Sequence, residues 1–254
     1  MLAKRLMDIL GILEREEMVS VSDLAKRCGV TEKTIRLDLD KLVKMNMVTR
    51  VHGGAILAKN SNEIYPVLPR KQKHILEKQL IARKALEMIN DGDTVFLDAG
   101  TTVLELARIL DKNVIVVTND PLIAAELIEH KNVTLYCTGG LLQRGNNSYV
   151  YVGPDAIQFI SRYRTCKCFL GCSALSLTYG LMVFSGIEAE IKKEIVQATD
   201  KVICLADSSK FNKTAFSSYL APKDMDVCIT DVGVNPEDLE ALRRKGVQVE
   251  VVVE

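Results

Sequence analysis

The chain has 254 residues, 48% of them hydrophobic and 26% charged, enough apolar material for a sizeable core. Its 33 basic and 33 acidic side chains cancel, but residues 1–60 carry 11 basic against 8 acidic and the remainder 22 against 25, so the mildly basic head is the end suited to a polyanion. No apolar run approaches the roughly 18 residues of a membrane span, and Asp8 interrupts what would be a signal core, so a cytoplasmic protein without membrane association is expected.

In chain order, Leu6, Ile9 or Leu10, and Leu13 recur at helical spacing and predict an amphipathic helix over 3–15. Ser20 with Asp23 reads as a capping box opening a second helix, which Gly29 ends in a left-handed residue. Thr31 can cap a third helix from Glu32 to about Met45, whose inward positions are Ile35, Leu39 and Leu42, with Leu37 as an extra. Two helices separated by so short a turn have helix-turn-helix spacing. Lys33, Thr34 and Arg36 lie near the start of the third helix, the end that enters the major groove in such motifs. Met47–Val51 reads as a strand and His52-Gly53-Gly54-Ala55 as a tight turn, a wing that sets Arg50 and His52 beside phosphates. The candidate DNA contacts are Ser20, Thr31, Lys33, Thr34, Arg36, Arg50 and His52.

Thr34-Ile35-Arg36-Leu37-Asp38-Leu39, followed by Arg50-Val51-His52-Gly53-Gly54-Ala55, resembles the N-terminal signature of the DeoR family of bacterial transcriptional regulators, a winged helix-turn-helix. The chain departs from that pattern at Leu37, where the family usually has a second arginine, at Cys28, usually Phe, and at Asn46, usually Gly. Leu37 removes an expected DNA contact and leaves the family's operator preference open here.

Residues 58–74 are polar, carry Pro66 and Pro69, and read as a linker ending at His74, so the expected division is a DNA-binding head over 1–57 and an α/β domain over 75–254. Residues 75–90 are predicted helical. Apolar runs follow at Thr94–Leu97, Val114–Val117, Val133–Tyr136, Cys168–Leu170, Val202–Leu205, Val227–Ile229 and Val247–Val253, with helical segments at 103–110, 121–130 and 186–199 between some of them. Near-continuous apolar strands with helical crossovers predict a mostly parallel sheet covered on both faces. Seven cysteines of irregular spacing point to reduced thiols. The cluster Cys166, Cys168 and Cys172 lacks C-x2-C pairing, so neither a metal nor a cofactor is expected.

Each strand is followed by small polar residues: Asp98-Ala99-Gly100-Thr101-Thr102, Thr118-Asn119-Asp120, Thr138-Gly139-Gly140, Gly171-Cys172-Ser173 and Asp207-Ser208-Ser209-Lys210. In a parallel sheet these loops emerge at one edge, where open α/β proteins bind ligands, although any one of them is also ordinary turn chemistry. Gly100-Thr101-Thr102 opens a helix and suits a phosphate, Lys210 adds a positive charge, and Asp98 or Asp207 can accept sugar hydroxyls. Glu188 and Lys192, four apart, read as either a surface ion pair or part of a site. Neither G-x-G-x-x-G nor the P-loop pattern occurs.

These loops, together with Phe169-Leu170-Gly171, Glu188-Ala189-Glu190-Ile191-Lys192 and the Phe211 that follows Lys210, are similar to the C-terminal sensor domain of the same family. The resemblance implies a fold like ribose-5-phosphate isomerase. It also implies a repressor of a carbohydrate operon, acting on double-stranded operator DNA as a homodimer or homotetramer and controlled by a phosphorylated sugar or related effector. The effector residues it implies are Asp98, Gly100, Thr101, Thr102, Thr118, Asn119, Gly139, Gly140, Gly171, Glu188, Lys192, Asp207 and Lys210, with no catalytic residue. The alternative is a sugar-phosphate isomerase fused to a DNA-binding head, with Asp98, Glu188, Asp207 and Lys210 supplying base and enediolate stabiliser.

Overall fold

A computed structural model of the chain describes residues 2–16, 19–44, 47–51, 53–57, 73–144 and 149–253. The chain forms two compact units, Met1–Tyr65 and Pro66–Glu254. Residues 58–72, most of the expected linker, lie outside the described residues, as does His52.

The first unit holds α1 (Leu2–Arg15), β1 (Val19–Ser20), α2 (Val21–Cys28), α3 (Glu32–Lys44), β2 (Val48–Val51) and β3 (Gly54–Leu57). Ile9, Leu10 and Leu13 of α1 meet Leu24, Ile35, Leu39, Leu42 and Val48 in one apolar core. Ser20 caps α2 by accepting from the Asp23 N–H at 3.1 Å, and the Asp23 carboxylate answers by accepting from the Ser20 hydroxyl at 2.7 Å. The reciprocal bond goes to the hydroxyl rather than to the backbone N–H that a capping box uses. Gly29 closes α2 at φ 64°. Asp38, on the inner side of α3, is buried and accepts from Arg5 of α1 at 2.6 Å. β3 lies between β1 and β2, both antiparallel to it. Only glycine fits at position 54, where a Cβ would stand 2.4 Å from the Val19 carbonyl oxygen.

The second unit is built on seven parallel strands: β4 (Thr94–Leu97), β5 (Val114–Thr118), β6 (Val133–Cys137), β9 (Thr165–Gly171), β12 (Thr199–Leu205), β14 (Val227–Asp231) and β15 (Gln248–Val252). Their order is β15-β14-β12-β9-β4-β5-β6. One face carries α4 (Ile75–Leu86), α5 (Thr101–Arg108) and α6 (Pro121–Leu127), packed on Val95, Leu97, Val116, Phe169, Ile203 and Ile229. The opposite face carries α7 (Pro154–Ser161), α8 (Gly186–Gln197) and α9 (Pro236–Arg244), packed on Phe96, Cys168, Leu170, Cys204 and Cys228. Alternate residues of each strand serve opposite faces, and both are buried, which is why the strands read as continuous apolar runs.

Besides α7 and α9, which no expected helical segment covers, two β pieces were not anticipated. A hairpin of β7 (Leu141–Arg144) and β8 (Tyr149–Val152) precedes α7, and a separate antiparallel sheet joins β10 (Ala174–Ser176), β11 (Gly180–Val183) and β13 (Ser217–Leu220). Runs of three or four residues are too short for periodicity to identify. The helix expected over 75–90 stops at Leu86, before the Asn90-Asp91-Gly92-Asp93 turn, where the Asp93 carboxylate accepts from the Asn90 N–H at 2.8 Å.

A candidate effector cleft and a DNA-reading head

After β4 the chain moves through α5 to β5 on one side, whereas after β9 it moves through α8 to β12 on the other. The strand order therefore reverses between β4 and β9, the point at which open α/β sheets form a crevice. The loops leaving these strands run backbone against backbone: a Cβ on Gly171 would lie 3.3 Å from the Ala99 carbonyl oxygen. The cleft there is lined by Ala99, Gly100, Thr101, Thr102, Gly171, Cys172, Ser173, Val183, Glu188, Lys192, Leu205 and Lys210.

Gly100 is the N-cap of α5, and it and the first helical residues, Thr101 and Thr102, line the cleft, so this edge of the cleft is a helix N-terminus. Both threonines are nearly buried. Lys210 comes from a 3-10 turn, Ser208–Lys210, that Asp207 caps by accepting from the Ser209 N–H at 3.1 Å. These groups suit an anion held by N–H donors, hydroxyls and one ammonium.

Behind them is a buried ionic cluster. Lys192 is 1% exposed; its Nζ donates to the Asp98 carboxylate and, at 3.1 Å, to the Gly171 carbonyl, and it stands 3.7 Å from Glu188 Oε1. Burial alone would lower the Lys192 pKa, but Asp98 and Glu188 outweigh it and the pKa is raised, so the ammonium stays charged. The ammonium also lies 5.4 Å from the centroid of the Tyr219 ring, and the Tyr219 hydroxyl donates to the Gly171 carbonyl at 2.8 Å. Glu188 and Lys192 are thus no surface pair: they brace the cleft floor, and Glu188 presents its carboxylate at the wall.

Of the expected effector residues, Gly100, Thr101, Thr102, Gly171, Glu188, Lys192 and Lys210 meet at the cleft, and Asp98, Thr118, Asn119, Gly139, Gly140 and Asp207 are not in its lining. Asp98 is fully buried and occupied by Lys192, the Gly171 N–H at 3.1 Å and the Asn119 amide at 3.4 Å. Asn119 is a strut, its Oδ1 accepting from the Ala99 N–H at 3.0 Å. The Thr118 hydroxyl donates to the Leu97 carbonyl at 2.7 Å. Gly139 and Gly140 follow β6, the edge strand of the sheet, two strands beyond β4.

Asp207 caps the turn that carries Lys210 rather than facing the cleft, and its Oδ2 has no hydrogen-bond partner among the described residues. Burial raises the Asp207 pKa, but Lys210, the Ser209 hydroxyl, Lys78 and His74 more than offset this and hold it low. Cys172 and Ser173, read from sequence only as part of the loop that begins at Gly171, also line the cleft; missed altogether are Leu205 and Val183 in the lining and Tyr219 behind it, the last two from the unforeseen small sheet. Asp120 was also missed as a titrating group: it caps α6 by accepting from Leu122 and Ile123, and burial pushes its carboxyl up to about 6.

In the first unit, the starts of α2 and α3 and the wing surround an open depression lined by Val21, Ser22, Glu32, Arg36, Arg50, Val51, Gly53 and Gly54. Ser20 and Thr31 act as caps, Thr31 accepting from the Thr34 N–H at 3.3 Å. Lys33 is exposed and Thr34 half-buried. Arg36 is exposed and paired with Glu32 at 2.8 Å, and Arg50 with Asp40 at 2.7 Å. Both arginines are held at the surface by acidic neighbours. The position expected of His52 lies outside the described residues.

Compared with known proteins, residues 5–61 match the model of the DeoR-like helix-turn-helix domain and residues 73–232 that of the DeoR C terminal sensor domain. The chain belongs to the DeoR family of transcriptional regulators. It is 34% identical to the HTH-type transcriptional regulator YulB of Bacillus subtilis, covering 99% of this chain and 97% of that one. It is 33% identical to a putative aga operon transcriptional repressor of Escherichia coli O157:H7, over 99% of this chain and 94% of that one. Among solved structures, ribose 5-phosphate isomerase a from Methanocaldococcus jannaschii aligns with 54% of this chain and 55% of its own at 16% identity and a TM-score of 0.41.

The chain is a DNA-binding transcriptional regulator, in keeping with relatives along nearly its whole length that are named regulators and repressors. Among the described residues no helix is long and apolar enough to cross a membrane.

Proposed function

We propose that this DeoR-family regulator represses a carbohydrate operon and that a phosphorylated sugar, seated in the cleft between β4 and β9, changes its grip on operator DNA. The observation that carries this reading is the convergence of the α5 N-terminus, Thr101, Thr102 and Lys210 on one crevice. The phosphate belongs at Gly100–Thr102 and Lys210, and the sugar hydroxyls at Glu188. The division proposed is a head over 1–57, a linker over 58–74 and a sensor over 75–254, in a cytoplasmic homodimer or homotetramer. Lys33, Thr34, Arg36 and Arg50 contact DNA, with Ser20, Thr31 and His52 as the remaining candidates.

A ligand shifts DNA affinity only by binding the two states differently, and a coupling of about 1–3 kcal/mol gives roughly 5–150-fold. Thermal denaturation with a panel of sugar phosphates, the matching free sugars and inorganic phosphate tests the reading, because a tight ligand raises the melting temperature by mass action. A rise confined to one or a few phosphorylated sugars, which also change operator affinity in a mobility-shift assay, is expected. No rise with any phosphorylated sugar removes the effector assignment while leaving DNA binding untouched.

A further inference from the structure

Leu10, Leu13, Leu24, Leu39 and Leu42 of the head are all buried, yet Leu37 is 57% exposed. On α3 the buried residues Ile35, Asp38, Leu39 and Leu42 mark the inward stripe. At about 100° per residue, Leu37 points away from that stripe, at the middle of the outward face. Lys33 and Lys41, each four residues from Leu37, flank it along the helix and Arg36 stands beside it, all three exposed; the exposed Glu32 and Asp40 on α3 pair with Arg36 and Arg50, which leaves the surroundings of Leu37 net cationic. A cationic helix face is complementary to a polyphosphate backbone. A leucine at its centre neither neutralises phosphate nor donates a hydrogen bond. In the major groove, the apolar base-edge feature open to such a side chain is the C5-methyl group of thymine.

We propose that Leu37 is a specificity-determining residue, packing on a thymine methyl in each half-site and selecting A·T pairs at that position. This rests on α3 being the helix that enters the major groove, with the first two turns of the helix, which include Leu37, reaching base edges. The occupant is duplex DNA, argued from the charge around Leu37.

The full-length chain is used to select binding sites from a pool of random-sequence duplexes. Affinity is then measured for the selected duplex and for copies in which each thymine in turn is replaced by deoxyuridine, which removes only the methyl. The wild type should lose about fourfold at one thymine per half-site, matching ~0.8 kcal/mol per buried methyl. Leu37→Ala should bind the thymine and uracil duplexes equally at that position, and Leu37→Met should restore the difference. Leu37 is exposed, so neither variant threatens folding, and circular dichroism checks this.

Uniform indifference to methyl removal overturns the proposal, as does a methyl effect of the same size in Leu37→Ala. In both cases the head still reads DNA and only the role of Leu37 falls. Failure to enrich any duplex, with no salt dependence of binding, instead overturns the docking of α3 itself.

Discussion

Lys192 and Asp98 form an ion pair sealed from solvent, the lysine 1% exposed and the aspartate 0%. The pair joins α8 to the loop after β4, and the Gly171 backbone completes it from both sides: its N–H donates to Asp98 and its carbonyl accepts from Lys192. The floor of the cleft is thus fixed by an ion pair whose lysine also lies in the cleft lining. Removing one partner strands the other in a low-dielectric site, which typically costs about 3–5 kcal/mol.

Lys192→Met should therefore lower the unfolding free energy of the sensor by about 3–5 kcal/mol, and Asp98→Asn with Lys192→Met should cost less than the two single changes summed. Urea denaturation of the three variants measures this. Additive losses would show that the two charges do not support each other.

Asp120 gives a pH signature. Its folded pKa, about 6, lies above the carboxylate's ordinary value because burial penalises the charge. The folded state then binds more protons than the unfolded one between about pH 4 and 6, so this group's contribution to stability falls as pH rises through that window and levels off above it. Asp120→Asn keeps an acceptor for the α6 cap and removes the titration. Its stability relative to wild type should rise between pH 4 and pH 7, by up to about 3 kcal/mol. An unchanged difference across that range would contradict the burial argument.

Lys210→Ala should weaken a phosphorylated effector by roughly ten- to a hundredfold, the range of a hydrogen bond to a charged group at about 1.5–3 kcal/mol. Isothermal titration with the sugar phosphate that raises the melting temperature provides the number. Equal affinity in wild type and variant would move the phosphate away from Lys210.

Arg36→Ala should leave stability within about 0.5 kcal/mol, because its pair with Glu32 is exposed. If Arg36 reads a base, operator affinity falls by about 1–3 kcal/mol and specificity relaxes; if it holds a phosphate, all sequences weaken alike and the salt slope drops by about one. Anisotropy titrations at several salt concentrations separate the two outcomes. No change in affinity or slope would take Arg36 out of the interface.

Gly54→Ala should destabilise the wing by about 1–3 kcal/mol, since the new methyl must displace the Val19 backbone. Hydrogen exchange at the β1–β3 pairing reports it. Protection equal to wild type would mean that β1 yields without cost.

Much of the cleft was legible as residue types. Gly100-Thr101-Thr102 opening a helix and Lys210 after a strand keep their meaning once folded, because helix starts and charges are local properties. Thr118 and Asn119 looked like ligand groups for the same reason, yet their polar atoms are used to tie neighbouring loops together. Nothing along the chain separates a polar loop that faces a ligand from one that faces another loop. Gly139 and Gly140 show the same limit at larger scale, since their distance from the cleft depends on strand order.

By itself the sequence determined the parts: the spacing of the head's helices, the apolar runs of a doubly covered sheet, and the small polar loops at its carboxyl edge. Each follows from local propensity and burial pattern. Only the tertiary structure decided that β4 and β9 are neighbours and that Glu188 and Lys192 are buried. Pairing between strands far apart in the chain is set by how the layers pack, and no window along the chain contains that information.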